Sequence, residues 1–267
     1  MRIREYGTAG PTVVVLHGGP GAPGYVAPVA RALADAFRVV EPFQRGSSGT
    51  PLTVARHVAD LHALATRRGG DSPPAVIGHS WGAMLALAHA ATHPGDVRAL
   101  VLVGCGTFTA DARERLHATL DERMTGEQRH RLAGLSAETT DPDECLRARA
   151  ELLLPLYSCE TLSDEMELTA CDSRAHEETW NDMLRLQDEG VYPAAFAAIR
   201  APVLMLHGAV DPHPGALIRS SLEPYLPRLE YLEWERCGHY PWLERAVRDE
   251  FFAVLRRWLG RHPAVTP

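Results

Sequence analysis

The sequence contains no lysine; all 27 of its basic side chains are arginine, set against 34 acidic ones for a net charge of −7. With its many alanines, that absence reads as a compositional bias and carries no functional signal. A basic block is also missing. The chain therefore lacks the electrostatic footprint of a nucleic-acid binder or of a protein held on an anionic membrane. No stretch approaches the roughly 18 apolar residues of a membrane span, and Met1 to Gly10 has no apolar run of signal-peptide length. The five cysteines (Cys105, Cys145, Cys159, Cys171 and Cys237) are odd in number, irregularly spaced and without a C-x-x-C pair. Reduced thiols in a cytoplasmic protein are expected rather than a disulfide framework. There is no H-E-x-x-H, no Cys/His cluster along the sequence, no dinucleotide fingerprint and no P-loop, so no metal or cofactor is expected.

What is present is the mixture of an ordinary globular protein, 45% hydrophobic and 23% charged over 267 residues. That length suits one large domain or two small ones. Short apolar runs alternate with helical patterns. Thr12–Leu16, Arg38–Glu41, Ala75–Ile77, Ala99–Val103, Val203–Leu206 and Leu229–Trp234 read as strands. Unbroken apolar runs rich in β-branched residues imply strands covered on both faces, as in a parallel sheet. Tyr25–Ala36, Val54–Arg67, Ala83–Thr92 and Ala246–Leu259 read as helices, the third almost wholly apolar and therefore central. The alternation predicts a doubly wound α/β sheet with right-handed crossovers. Thr107 to Ile199 breaks the rhythm: it carries no convincing strand and reads as a helical insertion. The expected organisation is a core formed by 1–106 and 200–267, with a helical cap over 107–199.

Gly78-His79-Ser80-Trp81-Gly82 fits G-x-S-x-G, with a strand before it and an apolar helix after it. That context places a serine nucleophile on a strained strand-to-helix turn, at a helix N-terminus that favours negative charge. His17-Gly18-Gly19-Pro20-Gly21 follows the first strong strand and can bring backbone N–H groups to a reacting carbonyl. The amides of Gly19 and Trp81 are the candidate oxyanion hole, and His17 reads as a structural residue of the turn. A serine needs a base, and the base an orienting acid. Of 13 histidines, His239 lies between the last strand and the last helix, level with the other strand-end loops. His213 lies only two residues past Asp211, and His62, His89 and His93 fall on helices as packing or surface residues. Asp211 follows the fifth strand, and the order Ser80, Asp211, His239 suits the fold. The alternative acid position, Gly104-Cys105-Gly106-Thr107, has no carboxylate.

Together, His17–Gly21, Gln44-Arg45-Gly46, Gly78–Gly82 and Gly238-His239-Tyr240-Pro241 resemble the α/β-hydrolase superfamily. The H-G-G-P-G turn, the Q-R-G segment and the tryptophan after the serine are most similar to its proline iminopeptidase branch. The resemblance covers roughly residues 1–106 and 200–260. It departs at Phe43, where the branch usually has aspartate before Q-R-G, and at the N-terminus. There one antiparallel strand fits, near Ile3–Tyr6. Aminopeptidases of the branch hold the substrate amine with cap glutamates, for which Glu160, Glu165, Glu167, Glu177, Glu178 and Asp182 are available. The leading expectation is hydrolysis of a small ester or amide through an acyl-enzyme, with a small-molecule substrate and neither nucleic acid nor membrane as partner. Tyr157, Trp180 and Met183 are the candidate pocket residues of the cap. The rivals are a proline iminopeptidase-like aminopeptidase and a non-catalytic hydrolase-fold module that binds a ligand or a partner protein.

Overall fold

A computed structural model describes residues 1–68, 72–162 and 170–264. Its centre is one seven-stranded sheet of β1 (Ile3–Tyr6), β2 (Thr12–Leu16), β3 (Arg38–Pro42), β4 (Ala75–His79), β5 (Ala99–Val103), β6 (Val203–Gly208) and β7 (Leu229–Trp234), in the order β1-β3-β2-β4-β5-β6-β7. All neighbours are parallel except β1, which runs antiparallel to β3 with Ile3 opposite Pro42. The antiparallel strand is the Ile3–Tyr6 segment.

The unbroken apolar runs have a direct cause. Alternate residues of each strand enter two different cores. Val14, Leu16, Val40, Val76, Leu100 and Leu102 face α2 (Val54–Arg68), α3 (Trp81–Thr92) and α8 (Gly215–Leu222). Val13, Val15, Val39, Ile77, Val101 and Val103 face α1 (Ala27–Leu33) and α9 (Arg248–Arg261). A side-chain period of two with helices on both faces leaves no solvent-facing position in the central strands β2, β4, β5 and β6. Each fully buried aliphatic side chain contributes about 1.5–3 kcal/mol. Edge strand β7 lacks this cover and is only partly buried. Helix α1 starts later than the pattern suggested, at Ala27, because Gly24 takes φ 104° ahead of it and Tyr25 turns inward instead.

Between β5 and β6 lie α4 (Ala110–Arg123), α5 (Gly126–Glu138), α6 (Pro142–Leu153) and α7 (Ser173–Asp188), with short 3-10 turns at Leu154–Tyr157 and Ala194–Ala198. Helix α7 is clamped down by its acids. Asp172, just ahead of it, accepts from the Ser47 N–H at 2.6 Å, Glu178 from the Leu52 N–H at 2.7 Å and Asp182 from the Val54 N–H at 2.8 Å. These carboxylates satisfy the backbone donors of the loop that follows Q-R-G and of the first residue of α2. They do not form a bare solvated face. No described helix is long and apolar enough to cross a membrane, and the five cysteines are unpaired.

Met183 corrects an expectation. Ala175, Thr179, Met183 and Gln187 form an i, i+4 stripe buried against the sheet side, and Met183 is fully enclosed. The helix turns Trp180 about 60° away from that residue, since three positions span about 300°. Met183 therefore packs in the core and does not line a pocket. Met183→Ala should cost about 2–5 kcal/mol of stability in urea denaturation, with KM for any hydrolysed substrate unchanged.

Candidate active site

Ser80 sits at φ 53°, ψ −119°, the only described residue other than glycine with positive φ. Such backbone costs about 1–3 kcal/mol and persists only where its surroundings hold it. Here the Ser80 N–H donates to the Val103 carbonyl at 2.9 Å, and the chain turns at once into buried α3. Packing at the turn is so close that a Cβ on Gly82 would lie 2.5 Å from the Leu16 carbonyl oxygen. Trp81 is the first residue of α3, so its N–H has no acceptor within the helix. Gly19 lines the same cavity as Ser80 and Trp81.

Asp211 and His239 come together at the ends of β6 and β7. The His239 Nδ1–H donates to Asp211 Oδ2 at 2.6 Å, and both side chains are buried. The other carboxylate oxygen accepts from the His213 N–H at 2.9 Å and from His213 Nδ1 at 3.0 Å. Burial opposes ionisation of Asp211, but His239, His213 and His207 around it outweigh burial and hold the carboxyl well below its usual range. For His239 burial dominates and lowers the pKa, while Asp211 works the other way. A neutral imidazole beside an ionised carboxylate results, with the proton on Nδ1 and a lone pair on Nε2. The His213 ring stacks on that of His239, centroids 4.6 Å apart and planes within 13°. Gly104, at φ 51°, backs the imidazole: a Cβ there would lie 2.8 Å from His239 Nδ1. The position after β5 that lacks a carboxylate thus provides the space for the ring.

Two further supports escaped the sequence reading. The Gly18 N–H donates to Tyr25 Oη at 2.6 Å, the Tyr25 hydroxyl pairs with His79 Nδ1 at 2.7 Å, and His79 Nε2 pairs with the His239 carbonyl at 2.9 Å. Only one assignment satisfies all three: Tyr25 donates to Nδ1 and Nε2–H donates to the carbonyl. Burial keeps His79 neutral, well below the ordinary imidazole pKa. This chain ties the glycine turn to the backbone of His239. Second, the buried Glu244 carboxylate accepts from the N–H groups of Gly238 and Cys159 at 2.9 Å each, and from Glu160 at 2.7 Å. It fastens the His239 loop to the segment after α6. His17 is structural, as expected. It accepts from the Gln44 N–H, its backbone carbonyl accepts from the Gln44 amide, and burial pushes its pKa down to about 4. Gln44 in turn accepts from the Trp81 indole at 2.8 Å.

Ser80, His239, Gly19 and Trp81 open on one cavity of about 320 Å³. Met84, Leu116, Leu146, Leu153 and Trp180 give it apolar walls, and Tyr157 lines it too. Met183 does not. Among the described residues no carboxylate lines the cavity, and its one permanent charge is Arg149. Glu178 and Asp182 are engaged with backbone donors, Glu160 pairs with Arg236 and Arg245, and Glu177 is exposed. Glu165 and Glu167 lie outside the described residues.

The arrangement has counterparts among known proteins. Proline iminopeptidases of Lactobacillus helveticus and Neisseria gonorrhoeae are 25% and 30% identical to this chain. The first match covers 94% of the chain and 90% of the relative, the second 76% and 64%. The solved structure of VinJ superposes with a TM-score of 0.68 at 22% identity, covering 97% of this chain and 94% of that one. A thermophilic esterase from Thermogutta terrifontis does so with a TM-score of 0.65 at 20% identity, over 98% and 93%. The alpha/beta hydrolase family model matches residues 13–253, and with this fold the chain belongs to that family, on its proline iminopeptidase-like branch.

Proposed function

We propose that the chain hydrolyses a small ester or amide through an acyl-enzyme on Ser80. The observation that carries this reading is the buried Asp211–His239 pair at 2.6 Å, opening with the strained Ser80 on one cavity. His239 Nε2 takes the Ser80 hydroxyl proton as Oγ attacks the substrate carbonyl. The Gly19 and Trp81 N–H groups hold the oxyanion. Collapse expels the leaving group, which takes the proton from His239. Water, deprotonated by the same imidazole, then releases the acid and restores the serine. Asp211 stays ionised throughout and stabilises the transient imidazolium.

The iminopeptidase relatives favour a second reading, release of an N-terminal residue from a free amine. The lining of the cavity speaks against it. An ammonium group would meet Arg149 there and, among the described residues, no carboxylate. The charge of Arg149 reaches two other wall residues: burial lowers the pKa of His176 and Arg149 lowers it further, while at Tyr157 Arg149 offsets part of the rise caused by burial. Neutral or anionic acyl groups suit such a pocket better than cationic ones. The third reading, a non-catalytic binding module, leaves the strained serine and its buried base–acid pair without a purpose.

Three outcomes are expected. Ser80→Ala keeps its circular dichroism spectrum, loses fluorophosphonate labelling and loses on the order of 10³-fold or more in turnover of an aryl ester. Retention of over about a tenth of the activity, or no labelling of the parent, would remove Ser80 from the mechanism.

Because burial lowers the His239 pKa, kcat/KM should rise with pH to a plateau, its midpoint below the ordinary histidine value of about 6.5. Asp211→Asn should lower kcat on the order of 10⁴-fold. A profile without an acid limb, with chemistry limiting, contradicts the role of His239.

Across matched substrates, an N-acetylated aminoacyl amide should be cleaved faster than its free-amine counterpart, and an acyl chain ending in carboxylate faster than one ending in ammonium. Arg149→Gln should erase that second preference. The opposite order on the first pair would establish the aminopeptidase reading.

A further inference from the structure

A second group of chemistry-bearing side chains lies at the other edge of the sheet. His62 projects from α2, His89 from the last turn of α3, and Asp96 from the loop that leads into β5. One ligand atom from each lies within 4.8 Å of the others. His62 Nδ1 is 2.5 Å and His89 Nε2 is 3.3 Å from the same oxygen, Asp96 Oδ2.

His89 is the telling member. Its side chain is completely buried, yet Nδ1 has no hydrogen-bond partner among the described residues and Nε2 has only the Asp96 carboxylate at 3.3 Å, without good hydrogen-bond geometry. Buried polar groups are rarely left so, and each exception needs a cause. A solvated polar surface does not explain it, because the ring has no contact with water. Apolar packing does not explain it either, since a leucine would fill the site without the desolvation cost of two ring nitrogens.

We propose that His62, His89 and Asp96 form a binding site for a divalent transition-metal ion of the zinc class, separate from the Ser80 cavity. Two imidazoles and a carboxylate are borderline donors that suit zinc, nickel or copper rather than calcium or magnesium. Ligands around a tetrahedral zinc stand about 3.3 Å apart at bond lengths of about 2.0–2.2 Å. The His89–Asp96 separation of 3.3 Å already meets that spacing. The His62–Asp96 hydrogen bond at 2.5 Å must open by less than an ångström, its proton giving way to the ion. His62 and Asp96 keep 44% and 23% of their side-chain surface exposed, so an ion can enter from solvent and a water can complete the shell.

The surroundings agree with a cation. The site lies at the C-terminal end of α3, where unpaired carbonyls carry the negative end of the helix dipole. The His93 ring stacks on His62 at 4.0 Å, with planes 11° apart, and fixes the plane of that ligand. The ion would join α2, α3 and the entry to β5, which is a structural role.

The test uses the full chain, stripped with chelator and dialysed, then titrated with zinc sulfate by calorimetry and with cobalt by visible absorption. Because Asp211, His213 and His239 also approach ligand spacing, His213→Gln is included beside His62→Gln and Asp96→Asn. The parent and His213→Gln should each bind one zinc and give the absorption of nitrogen- and oxygen-bound cobalt. His62→Gln and Asp96→Asn, both at partly exposed positions, should fold and lose on the order of 10²-fold in zinc affinity. Their turnover of a neutral aryl ester should match the parent's. At free zinc about 100-fold above Kd, the parent should melt about 5 °C higher and the two variants should not. No zinc uptake by the parent, affinity equal to the parent's in both Asp96→Asn and His62→Gln, or loss confined to His213→Gln would each overturn the site. None of these outcomes depends on the role of Ser80.

Discussion

The rest of the site depends on one constraint, the reversed backbone of Ser80. A residue with a Cβ held at φ 53° is stable only if the chain on both sides is fixed. β4 fixes one side through its pairing with β2 and β5, and α3, buried along most of its length, fixes the other. The close approach of Gly82 to the end of β2 then sets how near the glycine turn can come. A Cβ on Gly18 would stand 2.7 Å from that of Ser80, so the turn carrying Gly19 lies directly against the serine. The turn carrying Gly19, the proposed oxyanion donor, is thus positioned by steric exclusion together with the hydrogen bond from the Gly18 N–H to Tyr25.

Buried carboxylates handle what strands cannot. At the carboxyl edge of the sheet the chain leaves β6 and β7 in loops whose N–H groups need acceptors. Asp211 supplies one for His213, and Glu244 supplies them for Gly238, Cys159 and Glu160. Asp172, Glu178 and Asp182 do the same for the loop ahead of α2. The same chemistry explains why the acidic helix α7 is a poor place to look for an ammonium site. Its inward carboxylates already accept backbone hydrogen bonds, and a substrate amine would have to compete with them.

How much of this was legible follows from the range of each interaction. The sheet was readable because burial on both faces leaves an unbroken apolar run in every central strand. Ser80, Asp211 and His239 were readable as candidates because each follows a strand, the first two a central one and His239 the edge strand β7, at the one edge where a doubly wound fold gathers its loops. The supports were not. Tyr25 looked like the start of a helix, and His79 like a free position in a five-residue motif. Their hydrogen bonds join residues 54 and 160 positions apart. Met183 failed for a different reason. Along α7 the core stripe runs through Thr179 and Met183 and the cavity stripe through His176 and Trp180. The choice between two adjoining stripes on one helix depends on the rotation of α7, which its own periodicity does not set.

Helix α3 connects the two ends of the molecule in a physically consistent way. It leaves β4 at the carboxyl edge and returns to the opposite edge before β5, about 18 Å along its axis for 12 residues. Its N-terminus, with free N–H groups, carries the serine where negative charge would develop on a substrate oxygen. Its C-terminus, with free carbonyls, carries His89 and His93 beside Asp96. The helix dipole therefore favours an anion at one end and a cation at the other. A tether between α2, α3 and the start of β5 would resist displacement of α3 along its axis. One buried helix thus spans both edges of the sheet.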